Sequence, residues 1–510
     1  MTTPEKFLAK HKDSIVACLA CFDRVIFKGY LPFGDDRHLN SFVDWHLKIP
    51  RKNFIPMVQT LSQQLVEHAR KTAEAQGAEY RYFQGKVNKE KLIDRIARER
   101  GHPDGLLAVL CVQETCRTVK LYYAEKRPWL RFTKRPQRVL YWYFLDPVFG
   151  RVYVRIQTWF PFTIQIYING HEWLARQMVQ SPVGFEQRDN CFTELENPEQ
   201  AQELADRFIR IPWLRQLSAW ARIVNPLLQT PFLRGCTYYW VIDQAEYSLD
   251  LIFHNREACE RLFLRLLDHA ALHFAAQDIL SFLGRRLYTQ FDGEVITECK
   301  KDRWPGARIK HRVKRNWLKM YSKFGIVLRI ETVINQPREF KVRRWRIRQG
   351  QRQLVWCPMN KGVANFYQYH AAAHAANIRY LEALSVVDDP GVSYREIEAL
   401  AQPRVVGQRS HAPFNPARRK DVELFQAVLH GEHEIRGFRN ADIRRILHPQ
   451  SVAHDQCRRL AAAIGRKLKR LHVRGLIRKI PRTRRWLVTQ EGHRVLGIAV
   501  RLFHRGLLAA

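Results

Sequence analysis

The strongest constraint on the fold is a series of strand-like runs separated by tight-turn residues. Residues 139–145 are nearly all apolar, residues 151–158 alternate between polar and apolar side chains, and residues 163–168 alternate again. Pro147 and Gly150 lie between the first two runs. Alternation places every second side chain on one face of a strand, and proline and glycine between such runs mark turns. The sequence therefore predicts an antiparallel meander.

Helical and further strand patterns surround this meander. Strands are predicted at residues 24–29, 105–111 and 236–254 and within 285–348, and helices at 54–75, 89–98, 195–235, 257–276, 366–383 and 393–401. Residues 402–420 are rich in Pro, Gly, Ser and Arg and lack periodicity, which is typical of a linker. We predict an α+β fold in four parts: an α/β region at 1–130, an antiparallel-sheet core with helical insertions at 131–400, a linker at 401–420, and a C-terminal domain at 421–510.

The net charge indicates the kind of partner. The chain has 85 Lys and Arg against 49 Asp and Glu, a formal net charge of +36. A compact chain with this excess is expected to bind a polyanion, most often nucleic acid, because each neutralised phosphate releases counterions. A basic membrane-surface protein is the alternative, but there is no amphipathic anchor and no run of 18 apolar residues, so no membrane partner is expected.

The cysteines and the N-terminus indicate the compartment. Ten cysteines are scattered through the chain, and the N-terminal residues are polar, without a signal-peptide pattern. The pairs Cys18/Cys21 and Cys111/Cys116 differ in spacing and lie far apart, which favours free thiols over a zinc site. We expect a protein of the reducing cytoplasm.

Residues 421–510 carry 19 Lys and Arg against 7 Asp and Glu. Their pattern predicts two helices, a long helix at 453–474, two short strands around a basic turn, and a last helix from residue 490. This order, and the string RGLIRKIPRTRRWLVTQEG in particular, resembles winged helix-turn-helix domains. The resemblance implies a recognition helix in the major groove and a wing on the DNA backbone. A domain that makes only protein contacts is the alternative. The implied nucleic-acid contacts are Arg458, Arg459, Arg466, Lys467, Lys469, Arg470, Arg482, Arg484 and Arg485.

A second basic segment, residues 300–350, carries 17 Lys and Arg against 3 acidic residues. Within it Lys319, Tyr321 and Lys323 are spaced to share one face of a strand with Trp317. Lysines beside a tyrosine lower its pKa and stabilise charge that develops on a phosphate. Tyr321 is therefore a candidate nucleophile towards a phosphodiester, with Lys319 and Lys323 as its neighbours. A structural strand tyrosine is the alternative.

Carboxylates near this segment suggest a metal site. Glu331 lies on the strand that follows Tyr321, and Glu246 and Asp250 share one face of the strand at 240–253. Carboxylate oxygens are ligands for Mg²⁺ or Mn²⁺, which can orient a scissile phosphate. We predict Glu331, Asp250 and Glu246 as metal ligands, with an ordinary ion pair of Arg329 and Glu331 as the alternative. The predicted nucleic-acid contacts of this region are Arg308, Lys310, His311, Arg312, Lys314, Arg315, Arg329, Arg343, Arg344 and Arg346.

The strings KMYSK and LRIE resemble the core of filamentous-phage gene II type rolling-circle replication initiators, over about residues 240–335. The resemblance implies an antiparallel sheet, a divalent metal and a tyrosine that nicks one DNA strand, with Tyr321 as nucleophile, Lys323 beside it, and Arg329 and Glu331 on the paired strand. The His-hydrophobe-His motif of most such enzymes is missing. The strings FDRVIF, NGHEWLA and KMYSKFG also make the chain similar to multi-copy bacterial proteins that look like mobile-element products.

Three functions fit these features. The first is a metal-dependent DNA nicking and strand-transfer enzyme of a mobile element. The second is a ribonucleoprotein component, non-catalytic or RNA-guided, that binds a large structured RNA through its basic and aromatic residues. The third, a transcriptional regulator, accounts only for the C-terminal part. A nicking enzyme needs Tyr321 within reach of clustered carboxylates, whereas an RNA-binding scaffold does not.

Overall fold

The structure is a computed structural model of the 510-residue chain. It describes residues 4–85, 87–124, 127–285, 293–300, 307–348, 350–387, 397–430, 433, 437–449 and 454–508. Within these ranges, no helix combines the length and the apolar character needed to cross a membrane.

Both helices and strands are abundant, as predicted for an α+β fold. The strands are β1 Ile15–Tyr30, β2 Glu79–Phe83, β3 Gly105–Ala124, β4 Arg127–Asp146, β5 Gly150–Gln157, β6 Ile164–Asn169, β7 Phe185–Gln187, β8 Phe192–Leu195, β9 Tyr239–Phe253, β10 Val295–Lys300, β11 Arg308–Val313, β12 Asn316–Lys323, β13 Val327–Ile334, β14 Lys341–Arg348, β15 Gln351–Pro358, β16 Arg404–Val406, β17 Arg409–His411, β18 Ile477–Lys479 and β19 Trp486–Val488. The α-helices are α1 Glu5–Lys10, α2 Asp36–Ser41, α3 Arg51–Ala75, α4 Lys89–Glu99, α5 Gly170–Gln180, α6 Pro198–Asp206, α7 Trp213–Val224, α8 Arg256–His273, α9 Ala276–Phe282, α10 Phe366–Leu384, α11 Arg419–Val428, α12 Asn440–Leu447, α13 His454–Val473 and α14 Gln490–Leu508.

The chain divides into two compact units, each assembled from separate segments. The sheet unit comprises Ile15–His254 and Ile326–His374, and the terminal unit comprises Met1–Ser14, Asn255–Gly325 and Ala375–Ala510. The predicted boundary at residue 130 is wrong, because it falls within β4, which pairs with β3 along almost its whole length. A long hairpin cannot be divided between domains without exposing its backbone hydrogen-bonding groups.

The predicted linker and domain boundary at 401–420 lie inside the terminal unit, which includes Ala375–Ala510, and the segment contains secondary structure. Its β16 and β17 form a small hairpin. Phe414 is fully buried in the core of the terminal unit, with its ring centroid 5.4 Å from that of Phe425. The low periodicity of this stretch reflects a short hairpin and a single buried anchor. Part of the predicted helix at 393–401, residues 393–396, lies outside the described residues.

The sheet unit is built on eight strands in the order β13-β9-β1-β6-β5-β4-β3-β2. Neighbouring strands are antiparallel except β2 and β3, which are parallel. The predicted meander is confirmed, since β4 pairs with β5 and β5 with β6. The strand predicted at 24–29 is the end of the much longer β1, which lies between β9 and β6.

The two faces of β1 differ in chemistry. One face packs into an aromatic core, in which the ring of Phe22 lies 4.6 Å from that of Phe366 and the ring of Phe27 lies 4.9 Å from that of Trp213. Burial of these large apolar side chains removes much surface from water and stabilises the centre of the sheet. The other face carries polar groups, and the candidate site lies there.

The terminal unit contains the antiparallel strands β10, β11 and β12. One face is buried through Ile309, Val313, Leu318 and Met320, none of which is exposed. Its C-terminal part has the order helix, helix, long helix, two-stranded ribbon and helix, and the long helix α13 agrees with the prediction for 453–474. A bridge between Phe438 and Trp486 adds a third short strand segment to this ribbon.

His311, predicted to contact nucleic acid, lies inside the terminal unit and is fully buried. Its Nδ1 lies 2.9 Å from the Thr297 hydroxyl and its Nε2 lies 3.0 Å from the Tyr380 hydroxyl. The prediction was wrong because the side chains of β11 alternate between two faces. His311 lies on the buried face, and its neighbours Lys310 and Arg312 lie on the other face. Burial lowers the pKa of His311 to about 3.

We expect His311 to make the protein acid-labile. The folded-state pKa lies below the value of about 6.5 for an unfolded chain, so the unfolded state binds more protons and acid favours unfolding. Between about pH 6.5 and pH 5, protonation of this histidine in the unfolded chain lowers the free energy of unfolding by about 2 kcal/mol. In urea denaturation at both pH values, His311→Gln should show a smaller pH dependence than the wild type. An unchanged dependence would contradict the assignment.

Candidate metal centre

Three buried carboxylates meet on the polar face of the sheet unit. Asp23, Glu246 and Glu331 each place a carboxylate oxygen within 4.8 Å of the other two. Their side chains are nearly closed to solvent, with relative exposures of 6%, 5% and 1%. Gathering three acids away from water is costly unless a positive charge compensates them. Oxygen ligands at this spacing fit one hard divalent cation, so the group can hold a metal ion.

The strand register brings these acids together. They lie on the neighbouring strands β1, β9 and β13, where Arg24 faces Glu246 and Glu331 faces Ser248. The register between β1 and β9 shifts between Phe22 and Arg24, so Asp23 is the extra residue of a bulge. A bulge re-aims a side chain locally, and here it allows Asp23 to join acids from two other strands.

Asp23 was missed by the sequence analysis, which predicted Glu246 and Glu331 together with Asp250. A signal was present, because Asp23 is the acid in the stretch 15–27, which is apolar apart from Asp23 and Arg24. An ionisable residue within a buried strand requires a partner or a function. Its carboxylate accepts a hydrogen bond of 2.6 Å from the side-chain amide of Asn190.

Asp250 does not join the carboxylate group. Both of its oxygens accept hydrogen bonds from Arg329, at 2.7 Å from Nε and 2.6 Å from Nη2. Burial raises the pKa of Asp250, but Arg329 and His171 lower it by more, and the net shift is downward. Asp250 is therefore an ionised partner of Arg329, and the prediction that it is a metal ligand is not supported by the geometry.

Arg329 was predicted to contact nucleic acid, and this is wrong because it is fully buried. Besides Asp250, its Nη2 donates to the backbone oxygen of Asn190 at 2.8 Å and lies 2.9 Å from Nε2 of His171. Its Nη1 lies 3.5 Å from a carboxylate oxygen of Asp23. The guanidinium thus contacts groups from four separate segments, and one of these groups is the carboxylate of Asp23.

His171 supports Asp23 from the start of α5. Its Nδ1 lies 3.3 Å from the Asp23 carboxylate. Burial lowers the pKa of His171, but Cys21, Asp23 and Asp250 raise it by more, so the ring is charged and stabilises the carboxylates beside it. Asn169 caps this helix start, and a Cβ at Gly170 would overlap the carbonyl oxygen of Phe22. A residue without a side chain at position 170 thus allows α5 to approach β1.

A cavity of about 790 Å³ adjoins two residues that contact the carboxylate group, although none of the three carboxylates lines it. Its wall includes Arg24 and Asn190, and Arg24 lies 3.9 Å from Glu246 with its side chain 44% exposed. The stacked rings of Tyr153 and Tyr167, 4.9 Å apart, line the same cavity. Arg24 is a basic side chain of this lining at the edge of the carboxylate group, and the acidic side chains of Glu90, Asp94, Glu172 and Asp189 line the cavity as well.

Tyr321 lies on β12 in the terminal unit and is partly buried. The predicted face is confirmed for Trp317, Lys319 and Tyr321, which alternate with the buried Leu318 and Met320. Opposite them on β11 stand Arg312, Lys310 and Arg308, respectively, and Lys310 lies 4.0 Å above the ring of Trp317. Lys323 differs from the prediction, since only 6% of it is exposed.

The other predicted nucleic-acid contacts divide into exposed and engaged side chains. Arg315, Arg343, Arg346, Arg458, Arg459, Arg466, Lys469, Arg482 and Arg484 are exposed, whereas Arg308, Lys310, Arg312, Lys314, Arg344, Lys467 and Arg485 are half-buried. Arg470 is engaged, because it donates to the backbone oxygens of Ala412 and Pro413 and lies 4.0 Å from the ring centroid of Phe414. Its predicted role on DNA is replaced by a structural one.

Comparisons with known proteins add no name to this geometry. No protein-family model, curated protein or solved structure matches the chain. The likeness to replication initiators and to mobile-element proteins therefore stays a prediction, and the functional argument rests on the site.

Removal of Arg329 should strongly destabilise the protein. Arg329→Met leaves the buried carboxylate of Asp250 without its cation, which costs about 3–5 kcal/mol of the free energy of unfolding. The double variant Arg329→Met, Asp250→Leu removes both charges and should lose less than the single variant. Chemical denaturation measures both, and a double variant as unstable as the sum of the two single variants would contradict the pairing.

Loss of a carboxylate should weaken metal binding. We expect Glu246→Gln and Glu331→Gln each to reduce the Mn²⁺ affinity by about tenfold or more, since even groups that only support a ligand contribute about 10–100-fold. Calorimetric titration measures the affinity, and melting curves with and without Mn²⁺ measure the stabilisation by the metal.

Glu194→Gln, at an exposed position of the sheet unit, is the matched control. It should titrate like the wild type. Equal Mn²⁺ stabilisation in Glu331→Gln and Glu194→Gln would show that the carboxylate group does not bind the metal.

Proposed function

We propose that the protein is a nucleic-acid-binding enzyme of a mobile genetic element that cuts and rejoins DNA at the site formed by Asp23, Glu246 and Glu331. The observation that carries the proposal is the meeting of these buried acids within 4.8 Å in a chain of net charge +36. The acids suit a divalent cation and the net charge suits a polyanion, and a nucleic-acid phosphodiester is a substrate that fits both features.

Mg²⁺ or Mn²⁺ is the cofactor that fits these ligands, because all three offer hard carboxylate oxygens. When bound, such an ion stabilises negative charge that develops on a phosphate. Arg24, at the rim of the cavity, binds a phosphate oxygen through its exposed guanidinium. Arg329 and His171 keep Asp23 in place and take no part in the bond changes.

Tyr321, on β12 of the terminal unit, is the nucleophile that the sequence predicts, whereas the carboxylates belong to the sheet unit. Its hydroxyl loses a proton as the oxygen attacks phosphorus, the bond from phosphorus to one sugar oxygen breaks, and that sugar leaves as a hydroxyl after gaining a proton. The phosphotyrosyl bond retains the energy of the broken bond, so a second sugar hydroxyl can reverse the step and rejoin a strand. Lys319 and the β11 cations of the same face stabilise the tyrosinate.

DNA recognition is assigned to the C-terminal part of the terminal unit as a winged-helix domain. What supports this is the order α11, α12, α13, β18, β19 and α14, with Arg458, Arg459 and Arg466 exposed on the long helix and Arg482 and Arg484 exposed in the turn between the strands. The helix enters the major groove and the turn contacts phosphates.

One observation favours the second candidate function, a ribonucleoprotein component that binds a structured RNA without cutting. The carboxylates are at most 6% exposed, and a protein that only binds does not need to admit a phosphate to them. The half-buried lysines and arginines beside Trp317 suit an RNA ligand equally well.

A covalent-adduct experiment tests the proposal. Purified protein is incubated with end-labelled single-stranded DNA and Mn²⁺, and denaturing gels detect protein linked to DNA. We expect an adduct in the wild type and in Tyr239→Phe, a control at a tyrosine that is 65% exposed, and none in Tyr321→Phe or Glu331→Gln. Cleavage that persists in Tyr321→Phe would show that water, and not this tyrosine, is the nucleophile. A co-purifying discrete RNA without cleavage would favour the ribonucleoprotein function.

The C-terminal assignment gives a separate prediction. Arg458→Gln and Arg466→Gln should each weaken duplex binding and lower the slope of log affinity against log salt by about one, since each removes a phosphate contact. Arg470→Gln should instead lower the melting temperature, because it releases Ala412 and Pro413. Fluorescence anisotropy across a salt series measures these slopes. Unchanged slopes in both helix variants would contradict the proposal that α13 contacts DNA.

A further inference from the structure

We propose that the ribbon formed by β14 and β15 is a binding site for single-stranded nucleic acid, whose unpaired bases stack on Trp345 and Trp356. This inference rests on the proposed function in taking nucleic acid as the ligand, and it specifies the form of that ligand. It places strand capture at a site distinct from the carboxylate group.

The ribbon is a two-stranded sheet of its own within the sheet unit. In its register Trp345 faces Leu354 and Arg343 faces Trp356. The period of two places these four side chains on one face. The two tryptophans are diagonal neighbours, about 7–8 Å apart across the strands, which is close enough for successive nucleotides of one strand.

This face is more exposed than an ordinary strand face. Trp345 is 58% exposed, Trp356 63%, Ile347 78% and Leu354 44%. Large apolar side chains gathered in one exposed patch usually mark a binding surface, because leaving them in water is unfavourable. The core of the sheet unit does not need them, since its own aromatic side chains are buried.

The charge of the ribbon is complementary to a phosphate backbone. Residues 341–358 contain six Lys and Arg and no Asp or Glu. Arg343 lies 5.4 Å from the ring centroid of Trp356, and Arg352 lies 5.1 Å from that of Trp345. Each indole therefore has a cation beside it and more than half of its surface open. Stacking of a base on the ring and contact of the arginine with the adjacent phosphate can occur together.

A single strand fits this surface better than a duplex. Paired bases are stacked on one another, so their faces are closed to a tryptophan, and a groove offers only base edges. An unpaired base has an open face, and base–aromatic stacking is tolerant of sequence. The opposite face of the ribbon carries Arg344, Arg346 and Arg348, which add positive charge but no aromatic ring.

The test compares binding of a labelled single-stranded 12-mer, its duplex and anionic phosphatidylglycerol vesicles to the full chain. We expect Trp345→Leu and Trp356→Leu each to weaken single-strand binding by about tenfold, and the double variant by more, with duplex affinity unchanged. Leucine preserves apolar character, so only the stacking surface is lost. Quenching of tryptophan fluorescence by the 12-mer should decrease in the same variants.

The matched control is Trp45→Leu, at a tryptophan of the sheet unit that is 78% exposed. It should bind the 12-mer like the wild type, and melting curves should show that all variants are folded. Equal losses for the 12-mer and the duplex, or tryptophan-dependent binding of vesicles only, would overturn the inference.

Two outcomes separate this inference from the proposed function. If the wild type and the ribbon variants bind the 12-mer equally, the ribbon is not the site and the proposed function stands. If the wild type binds neither nucleic acid, the proposed function fails as well.

Discussion

The bidentate pair of Arg329 and Asp250 is the interaction on which the candidate site depends. It is fully buried, and through the same guanidinium it reaches Asn190, His171 and Asp23. These groups come from the sheet and from connecting segments that are far apart in sequence. A buried charge pair contributes little stability by itself, but loss of either partner is costly. The pair therefore fixes the geometry around it. Loss of either partner should displace the carboxylate of Asp23, which Arg329 contacts.

This pairing separates two kinds of buried acid. Asp250 is held by both arms of the Arg329 guanidinium, whereas Asp23, Glu246 and Glu331 place carboxylate oxygens within 4.8 Å of one another. A divalent cation relieves such crowding, and the half-exposed Arg24 at the cavity edge then offers a contact for an anion. In the proposed function, these acids hold the metal and Arg24 contacts the phosphate. The exposed ribbon would add a second, independent contact to a single strand.

Alternation in the sequence predicted the meander of β4, β5 and β6, the common face of Trp317, Lys319 and Tyr321, and two of the three clustered acids, because strand periodicity is a local property. It gave wrong environments for Arg329, His311 and Arg470. A cation on a strand or helix has the same local pattern whether it points to solvent or to a buried partner. The choice depends on Asp250, Thr297 with Tyr380, and Ala412 with Pro413, which are distant in the chain.

The sequence by itself determined the mixed α+β character, the strong positive charge and the face on which each strand residue lies relative to its neighbours. Only the tertiary structure decided which strands pair outside the meander of β4, β5 and β6, and hence that β1 lies between β9 and β6 and contributes Asp23. The physical reason is that strand pairing and the bulge at Asp23 are set by packing across the whole sheet, including the close approach of Gly170 to Phe22. Periodicity along a single strand contains no information about these long-range contacts.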